Sequence, residues 1–295
     1  MLGIVLLTLR ELRSKFIIVG LFGVATFVWL MLTFALNLDI VDGTLAGLRI
    51  FGQEAPLEEE VQVQNPETGE VETVQNLPFG ENPLEKIVVT VGQVVSGITF
   101  WVVLLLGLFA TGSLVTSLME RGQVDLLLSK PVSRTTLLGG RLAGVLAVVA
   151  VLVVYVLGAV WLVMSLKSGI WNGGFLLGVG TVLAFFAVLY GVVAFVSVWT
   201  ESNALALIVA LGVIVASLVL TAATNPEAMT QLRQPWREVY VGLYHVFPKF
   251  PGGTAMTWSL AGGEPVGSWW PLTSSVLFGA ACYAGAFALF RRKDF

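Results

Sequence analysis

The chain has one histidine, His245, and one cysteine, Cys282, so a Cys–His nucleophile pair would have to be built from those two. His245 falls in a broken aromatic stretch, while Cys282 lies among alanines inside the last apolar segment. The two are expected at different depths, so no such pair is expected. No His, Cys, Asp or Glu cluster has the spacing of a metal site. No Gly-rich phosphate loop of the Walker type is present, so hydrolysis of ATP by this chain alone is not expected. Glu120, Arg141, Lys167 and Glu201 all read as charges at the ends of apolar segments. The mid-depth ionisable residue that marks a proton or ion pathway is missing, and the energy source is expected to lie elsewhere.

What the sequence does pattern is a recognition element. It runs Met119-Glu120-Arg121-Gly122-Gln123-Val124-Asp125-Leu126-Leu127-Leu128-Ser129-Lys130-Pro131-Val132-Ser133-Arg134. Val124, Leu127 and Leu128 share one helical face, and Glu120, Arg121 and Asp125 face water or a partner. Pro131 stops this helix, and Ser133 suits the cap of the next one.

The elements that must hold this segment follow from composition. The 295 residues are 56% hydrophobic and 12% charged, with a mean hydropathy of +0.87. A soluble domain carries about 25% charge, so a water-soluble globular enzyme is excluded, as are disorder and a disulfide scaffold. A membrane helix needs roughly 20 apolar residues. Segments free of Asp, Glu, Lys and Arg predict six spans, at about 16–36, 92–118, 142–166, 175–199, 203–223 and 271–290. With both termini cytoplasmic, Arg10, Arg13, Lys15, Arg121, Lys130, Arg134, Arg141, Arg291, Arg292 and Lys293 fall inside, ten of the sixteen basic residues. Of nineteen acidic residues, eleven lie between Asp39 and Glu85, in the first outside loop, 37–86. A basic nucleic-acid footprint is absent, so the partners expected are lipid bilayer and protein.

The segment before the first span predicts an amphipathic interfacial helix, with Leu2, Val5, Leu6, Leu9 and Leu12 at helical spacing. No cleavable leader is apparent. In the first outside loop, alternation at Val61–Gln64, turn residues from Asn65 to Gly69 and a return at 71–75 predict a small β-hairpin. Asn82-Pro83-Leu84-Glu85 predicts a helix start outside the bilayer. The second outside loop, 224–270, is aromatic and broken by Pro and Gly, and predicts short helices lying at the outer surface, where Arg233, Arg237 and Lys249 meet headgroups. Gly174 with Gly178, Gly180 with Ala184, Ala187 with Gly191 and Ala281 with Gly285 predict close helix packing within the chain.

The inside loop, 119–141, resembles the coupling loop of type-2 ABC transporter permeases. That family shows a Glu-Arg-x-Gly-Thr-x-Glu-x-Leu-Leu-Ser-x-Pro-Val-Ser-Arg pattern followed by Leu-x-x-Gly-Lys-Leu. Glu120, Arg121, Gly122, Leu127, Leu128, Ser129, Pro131, Val132, Ser133 and Arg134 are in step with it. Gln123 stands in place of Thr, Asp125 in place of Glu and Arg141 in place of Lys, each keeping polarity or charge. Arg10–Lys15 and Phe290–Asp294 look like the family's entry and exit segments.

The resemblance implies an all-α polytopic membrane protein of six helices acting as the permease subunit of an ATP-driven, exporter-type ABC complex in a prokaryotic plasma membrane. It implies a separate ATP-binding subunit docking on Glu120, Arg121, Gly122, Asp125, Leu127, Leu128, Pro131 and Arg134, with Glu201 as a second inside contact. A second permease copy or paralogue would complete the pathway. This chain would bind no cofactor and catalyse no reaction itself; ATP and magnesium would sit in the partner. The rival reading is a membrane scaffold or regulatory anchor that recruits an ATPase without moving a substrate.

Overall fold

The computed structural model describes residues 17–41, 44–50, 53–54, 59–64, 71–76, 83–119, 133–225, 230 and 233–293. The expected interfacial helix before the first span lies outside them. The first helix, α1 (Ile17–Ala35), has no charged residue and passes directly into strand β1 (Leu36–Val41). β1 pairs antiparallel with β2 (Thr44–Ile50), which pairs with the short β3 (Gln53–Glu54). This three-stranded sheet is additional to the elements read from the sequence, whose hairpin expectation covered only the later segment. There, β4 (Glu59–Gln64) pairs antiparallel with β5 (Val71–Asn76), with Val61 opposite Val74 and Gln64 opposite Val71. The turn between them lies outside the described residues.

The remainder is helical. α2 (Pro83–Thr111) continues through the short α3 (Ser113–Thr116) into a 3-10 turn, Ser117–Met119. α4 (Arg134–Ser168), α5 (Gly173–Thr200) and α6 (Asn203–Leu220, with a 3-10 turn to Thr224) follow. Then come α7 (Trp236–Val246), α8 (Phe250–Ala261) and α9 (Trp270–Arg292). Among the described residues, five helical stretches are long and apolar enough to cross a membrane: Leu84–Thr116, Arg134–Ser168, Gly173–Thr200, Asn203–Thr224 and Trp270–Arg292. The chain is a multi-pass membrane protein. α1 lies along α4 in the same direction. Thr26 Oγ1 meets the Tyr155 hydroxyl at 2.9 Å, Trp29 Nε1 donates to it at 3.1 Å, and Lys167 Nζ donates to the Thr33 carbonyl farther along both helices.

α5 is the central helix and packs against α2, α4, α6, α8 and α9. Phe185, Phe186, Leu189, Tyr190, Val193 and Ala194 are all buried along it. Small residues set its closest approach to α9. A Cβ on Gly191 would come within 3.1 Å of the Gly279 carbonyl, and one on Gly279 within 3.0 Å of the Val188 backbone. That spacing lets the Tyr283 hydroxyl donate to the Ala187 carbonyl at 2.8 Å. Large exposed apolar side chains, such as Leu205, Ile208, Val215 and Leu218 on α6, suit contact with lipid rather than water.

One element departs from the surface position expected for 224–270. α8 is packed into the bundle, with Phe250, Thr257 and Ala261 fully buried. A short buried helix must satisfy its terminal backbone groups internally. At its start, Ser275 Oγ accepts from the Lys249 N–H at 2.9 Å and Ser217 Oγ from the Phe250 N–H at 3.0 Å. At its end, Asn172 Nδ2 donates to the Ala261 carbonyl at 2.7 Å and Gln93 Nε2 to the Trp258 carbonyl at 3.4 Å. Midway, the hydroxyls of Thr181 and Thr257 meet at 2.7 Å. Glycines remove the obstruction: a Cβ on Gly253 would lie 2.5 Å from the Phe185 ring, and one on Gly174 2.5 Å from the Leu260 carbonyl. The Gly174–Gly178 pair therefore serves packing within the chain.

Candidate functional site

The segment read as a docking element begins where α3 and its 3-10 turn end and stops where α4 starts. Glu120, Arg121, Gly122, Asp125, Leu127, Leu128 and Pro131 lie outside the described residues. The frame that holds them is described on both sides.

On the exit side, Ser133 caps α4, its Oγ accepting from the Thr136 N–H at 3.2 Å. Arg141 lies two turns into α4 and is 2% exposed. The sequence placed it at a span end, and there it is buried. Its Nε donates to the Leu114 carbonyl at 3.1 Å and a terminal nitrogen to Ser117 Oγ at 2.7 Å. Both acceptors are in the short stretch that leads into the loop. Carbonyls at a helix end lack helical partners and carry partial negative charge, so a guanidinium there is both donor and counter-charge. Arg141 thus ties the entry flank of the loop to its exit flank.

Arg134 opens α4, and its guanidinium donates to the backbone carbonyl of Lys293 just past α9. Lys293 Nζ in turn donates to the Val198 carbonyl in the last turn of α5 at 2.6 Å and pairs with Glu201 Oε1 at 2.7 Å. Glu201 ends α5 in the left-handed region, at φ 54, with its N–H bonded to the Ser197 carbonyl at 2.9 Å. Ser202 Oγ caps α6 by accepting from the Leu205 N–H at 3.4 Å. Two residues predicted from separate parts of the sequence, Arg134 and Glu201, are therefore joined through Lys293. Sequence reasoning counted Lys293 as an inside charge and as part of the closing segment, with no contact assigned to it. A basic residue just past a helix is a recognisable C-terminal signal, but it does not say which neighbouring helix the side chain reaches.

What this arrangement can do is mechanical. Three cations, Arg134, Arg141 and Lys293, each hold a carbonyl near the end of another helix. Among the described residues no group of three His, Cys, Asp or Glu side chains could hold a metal ion. His245 is at the α7–α9 corner, 6.2 Å from the Trp270 ring, and Cys282 is twelve residues along α9 from Trp270, about 18 Å at helical rise. The structure does not bring them together. A cavity of about 20 Å³ lined by Val88, Gly92, Trp161, Met164, Ser165 and Phe175 has room for one water.

The family model described as ABC-2 family transporter protein matches residues 15–295. Comparison with curated proteins gives no match.

Proposed function

The chain belongs to the ABC-2 transporter family and is the permease component of an ABC transporter, and from that premise we propose that it works in export, driven by a separate ATP-binding subunit docked on residues 119–141. The observation that carries the proposal is the tie from Arg134 through Lys293 to Glu201, which sets the flank of that loop beside the second inside turn. One docked partner would then touch both. Glu120, Arg121, Gly122, Asp125, Leu127, Leu128, Pro131 and Arg134 form the contact, with Leu127 and Leu128 as its apolar anchor. ATP and magnesium belong to the partner, and this chain's part is conformational.

In this reading α1 is a sixth span. Its parallel course along α4 supports that, since first and third spans run in one direction when the second returns between them. Both termini and the 119–141 loop are then cytoplasmic, the β-strands and α7–α8 face outward, and the membrane is a prokaryotic plasma membrane. A second permease, a copy or a paralogue, completes the pathway.

Co-purification tests the docking. Leu127→Asp puts a charge in the apolar anchor and is expected to abolish capture of the ATP-binding subunit while the permease still inserts. Glu120→Lys and Asp125→Lys weaken capture less. Capture unchanged in all three overturns the assignment of this loop. A complex that assembles normally but shows no ATP-dependent transport in vesicles would instead favour an anchoring role.

A further inference from the structure

Lys249 is the residue immediately before α8, and it is 3% exposed. Its ammonium donates to Ser274 Oγ at 3.0 Å and to the Phe247 carbonyl at 3.3 Å. It also lies 4.8 Å from the centre of the Tyr244 ring and 5.5 Å from that of Trp270. Oxygen acceptors and aromatic faces are the surroundings that hold an ammonium in its charged form. Yet among the described residues Lys249 makes no ion pair. Burial without a counter-ion pushes its pKa below the ordinary lysine range. A buried charge without an anion is costly, and an anion brought beside it offsets part of that cost.

The cover over this cation indicates where an anion would come from. The Trp270 ring is 48% exposed, and the His245 ring, also exposed, meets both Tyr244 and Trp270 at their edges. The adjoining α7 leaves Trp236, Val239, Leu243 and Val246 exposed, at positions that fall on one helical face, with the exposed Arg237 beside it. No residue of α7 is buried. An amphipathic helix with an unpartnered apolar stripe lies in a membrane interface, its apolar face among acyl chains and its flank at phosphate level. Apolar stripe, exposed tryptophans and a cation just beneath them are the chemistry of a phospholipid, not of a freely diffusing anion.

We propose that the corner formed by α7, Lys249 and the start of α9 is a binding site for the phosphate of an anionic phospholipid, with Lys249 as the counter-charge and Trp236, Val239, Leu243 and Val246 against its acyl chains. The lipid completes the seat of α8 by neutralising the one buried cation at its N-terminus. This inference does not depend on the docking of an ATP-binding subunit.

The test is lipid retention by the purified full chain. Native mass spectrometry from mixed micelles of phosphatidylglycerol and phosphatidylcholine is expected to show preferential retention of phosphatidylglycerol. Lys249→Gln should reduce that preference about tenfold, the scale of one lost charged hydrogen bond, and Lys249→Arg should keep most of it. Arg237→Gln, at an exposed and screened position, should reduce it less. Should Lys249→Gln not fold, thermal unfolding of the unaltered chain decides: the midpoint should rise as phosphatidylglycerol replaces phosphatidylcholine. An undiminished preference in Lys249→Gln, or no rise with phosphatidylglycerol, overturns the proposal. Inorganic phosphate producing the same rise in lipid-free detergent also overturns it, by assigning the site to a free anion.

Discussion

Two regions of this protein solve the same problem, the unsatisfied backbone groups at helix ends, with different chemistry. Around Arg134 the solution is charge: guanidinium and ammonium groups reach from one helix to the terminal carbonyls of another. Around α8 it is neutral: serine hydroxyls take the first N–H groups, and the Asn172 and Gln93 amides hold the last carbonyls. A neutral cap is short and directional, and it works only with its partner within one geometry. A long cationic side chain keeps contact over a range of positions because charge acts over distance and the stem can bend. Under the proposed function, the difference suits a loop that moves with a docked partner and a helix that stays seated.

If that contrast is right, perturbations rank by burial and not by formal charge. The largest effect belongs to Arg141, the one fully buried cation among the described residues of the first region. Arg141→Met strips the guanidinium from the Leu114 carbonyl and from Ser117 Oγ in a buried place, leaving that carbonyl only the Ser117 hydroxyl as donor. Thermal unfolding in detergent should show a loss of about 3 kcal/mol, the scale of a charged hydrogen bond removed from the interior. A loss below about 1 kcal/mol would mean that the tie across the loop flanks is not structural, and the first region would lose its anchor.

Next is the seat of α8. Gly174→Ala places a methyl group 2.5 Å from the Leu260 carbonyl, a backbone atom that cannot rotate away. Overpacking of this kind costs about 1–3 kcal/mol. Protease susceptibility near Gly262 should rise with it if α8 lifts. A neutral result would show that the seat is looser than its caps imply. Ser275→Ala, which removes one hydroxyl cap from the Lys249 N–H, should cost about 1 kcal/mol.

Much of the first region was legible in the sequence and most of the second was not. Ser133 reads as a cap because a serine after Pro131 and before an apolar run has few other uses. The span cores read clearly because lipid demands long uncharged segments. The burial of Arg141 was not legible: a charge near the edge of an apolar run looks solvated until its partners, Leu114 and Ser117, are known to fold back beside it. α8 failed for a related reason. Phe250-Pro251-Gly252-Gly253-Thr254 has the glycine and proline of a surface turn, and only the Phe185 ring and the Leu260 carbonyl reveal that those glycines make room. The strands β1–β3 were missed because their largely apolar residues lie in a loop that was read whole as an acidic, solvated cap. Tertiary partners carry that information, and local pattern does not.

The smallest effect is expected at Glu201, and it tests the contrast most directly. Its carboxylate is 58% exposed and faces a Lys293 side chain that is 21% exposed. Exposed pairs contribute little because water and salt screen them, so Glu201→Gln should change unfolding stability by no more than about 0.5 kcal/mol. Gln keeps an oxygen that can accept from Lys293 Nζ, so the geometry can survive the loss of charge. Lys293→Met is different, since it also strips the donor from the Val198 carbonyl, and it should cost more than Glu201→Gln in the same assay. The cost of Glu201→Gln should shrink in high salt, which screens its Coulombic part, while the excess cost of Lys293→Met should persist. If Glu201→Gln costs as much as Ser275→Ala and salt leaves it unchanged, the tie is a rigid cap rather than a compliant one. The first region would then be as fixed as the seat of α8, and a loop displacement could not be passed through Lys293 without breaking it.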